Sequence, residues 1–260
     1  MEPLCLRSTC FSHRRPDQLG ELDSLRESIK MMGTIEAELN RLSLATMTYL
    51  STKRVESKTC LKKSIQSIMK SLSKSWWVPL AKEDGVTYLE KGTHTFTLNN
   101  GTKFTVYASP YIGSGGWAFP YKPFADRFND ADQSGPNRTS IATNPIPSGV
   151  DIVMTHGPPH SILDQVDNQN LGCPNLLRAI SRVRPLMHCF GHIHEGHGAN
   201  IVTLKPDGSV KDPSSATPLE TEQINKYPYA NEWHIKSGKQ TLHGQRGHYG
   251  EYRKRNAAGL

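Results

Sequence analysis

The chain has 260 residues, of which 36% are hydrophobic and 8% aromatic, and carries a formal net charge of +7. That length suits one α/β domain with a sizeable core, and no apolar run approaches the ~18 residues needed to cross a bilayer. Charges and Pro occupy the N-terminal stretch where a signal peptide would be apolar, and the five Cys show no CxxC spacing, so reduced thiols and a cytoplasmic location are expected, with no membrane partner.

The positive charge is local. Arg41, Lys53, Arg54, Lys58, Lys62, Lys63, Lys70 and Lys74 face one acid, Glu56, within residues 41–78. Eight bases minus one acid give +7, so the rest of the chain is neutral. A nucleic-acid-binding domain would carry its basicity as a property of a surface, with aromatics interleaved for stacking. This segment offers Trp76-Trp77 alone, and nucleic acid is not expected as a partner.

In chain order, residues 20–39 read as an amphipathic helix, with Leu22, Leu25, Ile29 and Met32 at helical spacing. Residues 41–78 are rich in Ser, Thr and Lys and show no clean apolar face. From Pro79 the texture changes. Residues 85–89 and 95–98 read as short strands, Asn99-Asn100-Gly101 as a hairpin turn, and residues 103–108 as the return strand. A Pro/Gly-rich connection fills 110–148. Residues 150–155 form a buried strand, 172–184 a helix closed by Pro185, 186–190 a second buried strand, and 201–204 a third. After a polar loop comes a strand-like stretch at 232–236. The expected organisation is a divergent N-terminal segment (1–78), a main domain (79–242) and an irregular tail (243–260), with no repeat and no second domain.

Two places carry chemistry. Val153-Met154-Thr155-His156-Gly157-Pro158-Pro159 delivers one His from a buried strand into a Gly/Pro turn. Phe190-Gly191-His192-Ile193-His194-Glu195-Gly196-His197 delivers two more. A lone His-x-His pair could simply share a solvent face. Two strand-to-turn His sites in one chain point instead to a metal centre, since imidazole suits Zn, Fe and Mn.

These residues resemble the calcineurin-like metallophosphoesterases, in the subgroup whose C-terminal half reads T-H-G-P-P, L-D, G-C, R-x-R-P and H-x-F-G-H-I-H-E-G-x-G. Here those are Thr155–Pro159, Leu163-Asp164, Gly172-Cys173, Arg182–Pro185 and His188–Gly198. The Tyr88–Glu90, Tyr107–Pro110 and Trp117–Phe119 stretches look like the family too. The resemblance covers about residues 79–204, with the helix at 20–39 added. It implies a four-layer α/β/β/α sandwich, here incomplete. It also implies two divalent ions (Mn, Fe or Zn) bridging a hydroxide that attacks a small phosphate mono- or diester. It assigns His156 and His192 to one metal and His194 to the other, with Glu195 and His197 as groups that orient the ligands. Cys173 and Cys189 read as small core residues. The catalytic residues proper stay unassigned, as do the substrate, the choice of metal and the oligomeric state.

The family's D-x-H, G-D and G-N-H-[DE] motifs are missing, and His94 in Gly92–Thr95 lies in the wrong place to replace them. The losses fall in the anomalous segments. Read one base out of phase, residues 41–53 permit V-I-A-G-N-H-D-L-S-L-D-K, which contains the third motif. In the opposite shift, residues 12–18 permit H-T-G-D-L-T, and residues 243–250 permit M-V-N-A-A-I-M, the family's closing strand. A phosphoesterase impaired in the chain as written is therefore expected. The alternatives are a non-catalytic paralogue that keeps half of the site as a binding module and, weakest, a basic nucleic-acid binder using 41–78.

Overall fold

A computed structural model describes residues 42–43, 83, 87–113, 119–122, 124–196, 198–203, 220–223 and 235–245. The expected helix at 20–39, nearly all of 41–78, Trp117-Ala118 and residues 246–260 lie outside the described residues. The chain divides into two compact units, one of residues 1–90 and 115–118, the other of 91–114 and 119–260; the sequence had pointed to no second domain. In the first unit, β1 (Leu42–Ser43) pairs in parallel with β2 (Thr87–Tyr88).

The second unit is built on one mixed sheet. Its strands are β3 (Gly92–Thr97), β4 (Lys103–Ser109), β5 (Ile152–Thr155), β6 (Met187–Phe190), β7 (Gly198–Thr203), β8 (Glu220–Gln223) and β9 (Gln240–Gln245). They lie in the order β8-β7-β9-β6-β5-β4-β3. The four inner strands β9, β6, β5 and β4 run parallel, and β3, β7 and β8 close the edges antiparallel. Parallel strands buried on both faces need near-continuous apolar runs. Ile152, Val153 and Met154 supply one, each at most 4% exposed.

The hairpin joining β3 to β4 forms as its turn residues dictate. Gly101 sits at φ +84°, Gly101 N–H donates to Leu98 O, and Asn100 Oδ1 accepts from Thr102 N–H.

One helix, α1 (Pro174–Val183), packs on the sheet. Pro174 starts it without wasting a donor. Cys173 Sγ accepts from Leu176 N–H at the N-terminus, and Arg184 in the left-handed region ends it by donating its N–H to Ile180 O. Leu176, Ala179 and Ile180 pack against Tyr107, Val153, Phe128 and Ile146, while Leu177 joins Ile162, Phe190 and Val202 in a second cluster. The described residues are thus α/β, with a seven-stranded mixed sheet, four two-stranded pairs and one α-helix. Among them, no helix is long and apolar enough to cross a membrane.

One boundary needs correction. Residues 243–245, expected to begin an irregular tail, continue β9 in the middle of the sheet, where His243 lies opposite both His188 and Asn200. Their polar sequence hid the strand. Ile235-Lys236, the end of the stretch read as strand-like, precedes a turn in which Lys239 and Gln240 donate their N–H groups to Lys236 O.

Candidate metal centre

Adjacent parallel strands bring the two motifs to one sheet edge. β5 and β6 pair with Met154 opposite Cys189, so the residues that follow them, His156 and Gly191-His192, leave the sheet side by side at the carboxyl ends. Open α/β sheets bind ligands at this edge. The main chain of His156 is held on both sides: its N–H donates to Ser109 O at 3.1 Å, and its carbonyl accepts from Gly191 N–H at 3.0 Å. His192 adopts φ 78°, a conformation that costs a non-glycine residue about 1–3 kcal/mol and that concentrates at functional sites.

The result is a facing pair of imidazoles. His156 Nε2 lies 3.0 Å from His192 Nδ1, with ring centroids 4.8 Å apart. His156 is buried; burial first, and then the neighbouring His192, hold its pKa down to about 3. It is therefore neutral, the form that ligates metal. At 3.0 Å the two nitrogens are at hydrogen-bond distance; two tetrahedral bonds of ~2.1 Å would separate them by ~3.4 Å, so a shared divalent ion would need the rings to part by a few tenths of an ångström.

The other expected residues stand differently. The backbone of His194 lies in a short 3-10 turn, His194–Gly196, in which Glu195 is exposed. The His194 side chain and all of His197 lie outside the described residues. His94 sits on β3 opposite Val106. Cys173 caps α1 and accepts from Tyr121 O–H at 2.9 Å, and Cys189 is buried with burial raising its pKa to about 12, so both have packing roles. Among the described residues no group of three or more His, Cys, Asp or Glu could hold a metal ion. The structure thus brings together His156 and His192 of the three His expected at the site.

The turns around the pair explain the remaining family-like residues. Asp164 Oδ2 accepts from Ser161 N–H at 3.0 Å and from Gly172 N–H at 2.8 Å, closing the loop that follows Pro159. A Cβ on Gly172 would overlap Pro159 O, and one on Gly196 would overlap Leu163 O. Leu163-Asp164, Gly172-Cys173 and Gly196 thus fix the turns that follow Pro159 and His194 by close backbone approach.

Behind the pair lies a feature that motif reading missed. His188, His243 and Asn200 are cross-strand neighbours on β6, β9 and β7. His188 and His243 are both 0% exposed, with ring centroids 5.3 Å apart. Both nitrogens of His243, His188 Nδ1, Asn200 Oδ1 and Gln245 Oε1 are buried without a hydrogen-bond partner. Burial lowers both imidazole pKa values, that of His243 to about 3. Gln245 Nε2 donates to Ile193 O, tying β9 to the His192–His194 turn. His-x-Phe before Gly191 was visible in the sequence, but nothing there says that it meets His243.

No family model matches the chain. It is 55% identical over 58 residues to metallophosphoesterase domain-containing protein 1 of Homo sapiens, covering 21% of this chain and 18% of that protein. It is 33% identical over 126 residues to UPF0046 protein K07C11.7 of Caenorhabditis elegans, covering 46% of this chain and 37% of that one. It is also 35% identical over 121 residues to probable rhamnogalacturonate lyase C of Emericella nidulans, covering 44% of this chain and 10% of the lyase. The chain thus spans well under half the length of these relatives. The first two similarities support a metallophosphoesterase-like family.

Proposed function

We propose that this chain is a metal-dependent phosphoesterase of the calcineurin-like class whose metal centre is incomplete as written. The observation that supports this most is the His156–His192 pair, two neutral-capable imidazoles meeting at 3.0 Å at the carboxyl edge of a parallel sheet. His156 Nε2 and His192 Nδ1 would hold one divalent ion (Mn, Fe or Zn), and His194 is proposed for a second. When bound, the metals supply Lewis acidity toward a phosphate mono- or diester. The chain's own residues bind and orient the ion, and the Thr155–Pro159 and Gly191–Gly196 turns shape the cleft for a small phosphate ester. Completion of the described sheet into the four-layer sandwich, with the missing carboxylate ligands, is the further part of the proposal.

The reading-frame account extends it. β9 occupies a central strand position yet places His243 and Gln245 in the core with orphaned polar atoms, a local conflict of the kind that selected sequences avoid. A strand reading M-V-N-A in place of these residues removes the orphaned imidazole. The second reading is a non-catalytic paralogue or binding module that keeps half of the metal site.

Two experiments separate the readings. Titration of the full chain with Co²⁺, followed by absorption, is expected to give one weak site that His156→Ala and His192→Ala each abolish. Binding that survives both substitutions overturns the site assignment. Sequencing the genomic locus is expected to find G-D and G-N-H-D encoded in the shifted frames. A locus that encodes them in no frame favours the paralogue.

A further inference from the structure

We propose that Thr155 and His188 are positioning residues that lock the His156 turn through a buried hydrogen-bond relay, a role that rests on the metal-centre reading for its purpose but not for its geometry. Both are buried, Thr155 at 1% and His188 at 0% exposed. Thr155 Oγ1 lies 2.8 Å from Gly157 O and 2.9 Å from His188 Nε2.

The hydroxyl has one proton and two acceptor lone pairs. A carbonyl can only accept, so the Thr155 proton goes to Gly157 O. His188 Nε2 must then carry a proton and donate to Thr155 Oγ1, which leaves Nδ1 bare. The other tautomer would leave both Gly157 O without the hydroxyl and a buried Nδ1–H without an acceptor, a costlier arrangement. Nδ1 has no partner, as the first tautomer requires, and burial beside His243 keeps the ring neutral.

The relay fixes the residues on both sides of His156. Thr155 precedes it, and Gly157 O, held by Thr155, follows it. The main chain of His156 is itself clamped between Ser109 O and Gly191 N–H. His188 stands on β6, the strand that runs directly into Gly191-His192. One strand therefore delivers one ligand and braces the turn that carries the other. The relay keeps the Nε2–Nδ1 separation at 3.0 Å before any metal arrives.

The test uses the full chain, first without metal. In wild type, ¹⁵N-histidine spectra are expected to show His188 as the Nε2–H tautomer with a slowly exchanging ring proton. Thr155→Val is expected to lose that proton and to speed amide exchange at His156 and Gly191 by about 10-fold or more, with the β3–β4 hairpin amides unchanged. Thr155→Ser keeps the hydroxyl and is expected to restore both readouts. His188→Gln, which carries a donor at similar reach, is expected to retain slow exchange where His188→Phe does not. Unchanged His156 and Gly191 exchange in Thr155→Val, or a uniform rise across the sheet, overturns the relay. The second arm adds Co²⁺: Thr155→Val is expected to weaken its binding about 10- to 100-fold, and Thr155→Ser by less than about threefold. Equal Co²⁺ affinity in wild type and Thr155→Val overturns the positioning role. Absence of Co²⁺ binding by wild type refutes the metal-centre reading, and the metal-free arm still decides the relay.

Discussion

Replacing His243 by Leu is expected to stabilise this protein, and more so in acid. His243 lies fully buried on β9 with neither ring nitrogen hydrogen-bonded, and a buried unsatisfied polar group costs about 1–3 kcal/mol. An apolar side chain of comparable size removes that cost, so a gain of about 1–3 kcal/mol is expected at pH 7. The pH dependence adds to it. Burial lowers the His243 pKa from 6.5 to about 3. Below pH 6.5 the unfolded chain therefore binds a proton that the folded chain refuses until about pH 3. Stability contributed by this group is intact above pH 6.5 and is lost progressively as pH falls toward 3. Between pH 7 and pH 5 one such His costs about 2 kcal/mol. His156, with its pKa also near 3, costs about as much again, and His188 shifts in the same direction. Set against a typical total of about 5–15 kcal/mol, a loss of about 4 kcal/mol or more should leave the protein markedly less stable at pH 5 than at pH 7. Urea denaturation of wild type and His243→Leu at pH 7 and pH 5 measures both effects: the gap between the two proteins should widen by about 2 kcal/mol at the lower pH. A gap that does not change with pH, or a variant less stable at pH 7, refutes the burial argument for His243.

Further outcomes follow from the site. His192→Gly should relieve the φ 78° backbone and stabilise the fold by up to about 1–2 kcal/mol in thermal melts while losing Co²⁺ binding; lost stability would show that the ring packs more than it strains. Gly172→Ala and Gly196→Ala should each destabilise by more than about 2 kcal/mol, because the new methyl meets the backbone carbonyls of Pro159 and Leu163; a melt within a degree of wild type contradicts the close approach. Cys173→Ala removes both the α1 cap and the acceptor for Tyr121 O–H, and should cost about 0.5–2 kcal/mol; a neutral effect means that the sulfur contacts carry no energy.

Much of the described fold was legible because its apolar periods are clean. Residues 150–155 and 186–190 read as buried strands and hold β5 and β6, Asn99-Asn100-Gly101 announced the β3–β4 hairpin, and the helix expected at 172–184 and closed by Pro185 matches α1 to within two residues. β9 was hidden, since Gln240–Gln245 lacks the apolar character of a central strand, and pairing with β6 and β7 overrides that local signal. The His156–His192 meeting follows from two strand-to-turn motifs on parallel strands. The Thr155–His188 relay does not, because its partners are 33 residues apart and no spacing rule links a strand-interior His to a hydroxyl on the next strand.

The most direct test of the central claim is Mn²⁺-dependent hydrolysis of p-nitrophenyl phosphate esters by two matched proteins, the chain as written and one restored to H-T-G-D-L-T, V-I-A-G-N-H-D and M-V-N-A-A-I-M at the three shifted segments. The half-site of His156 and His192 should leave the first at or near the background seen with chelator, and the restored protein should turn over only with Mn²⁺. Robust Mn²⁺-dependent turnover by the chain as written, or none by the restored protein, would contradict the account.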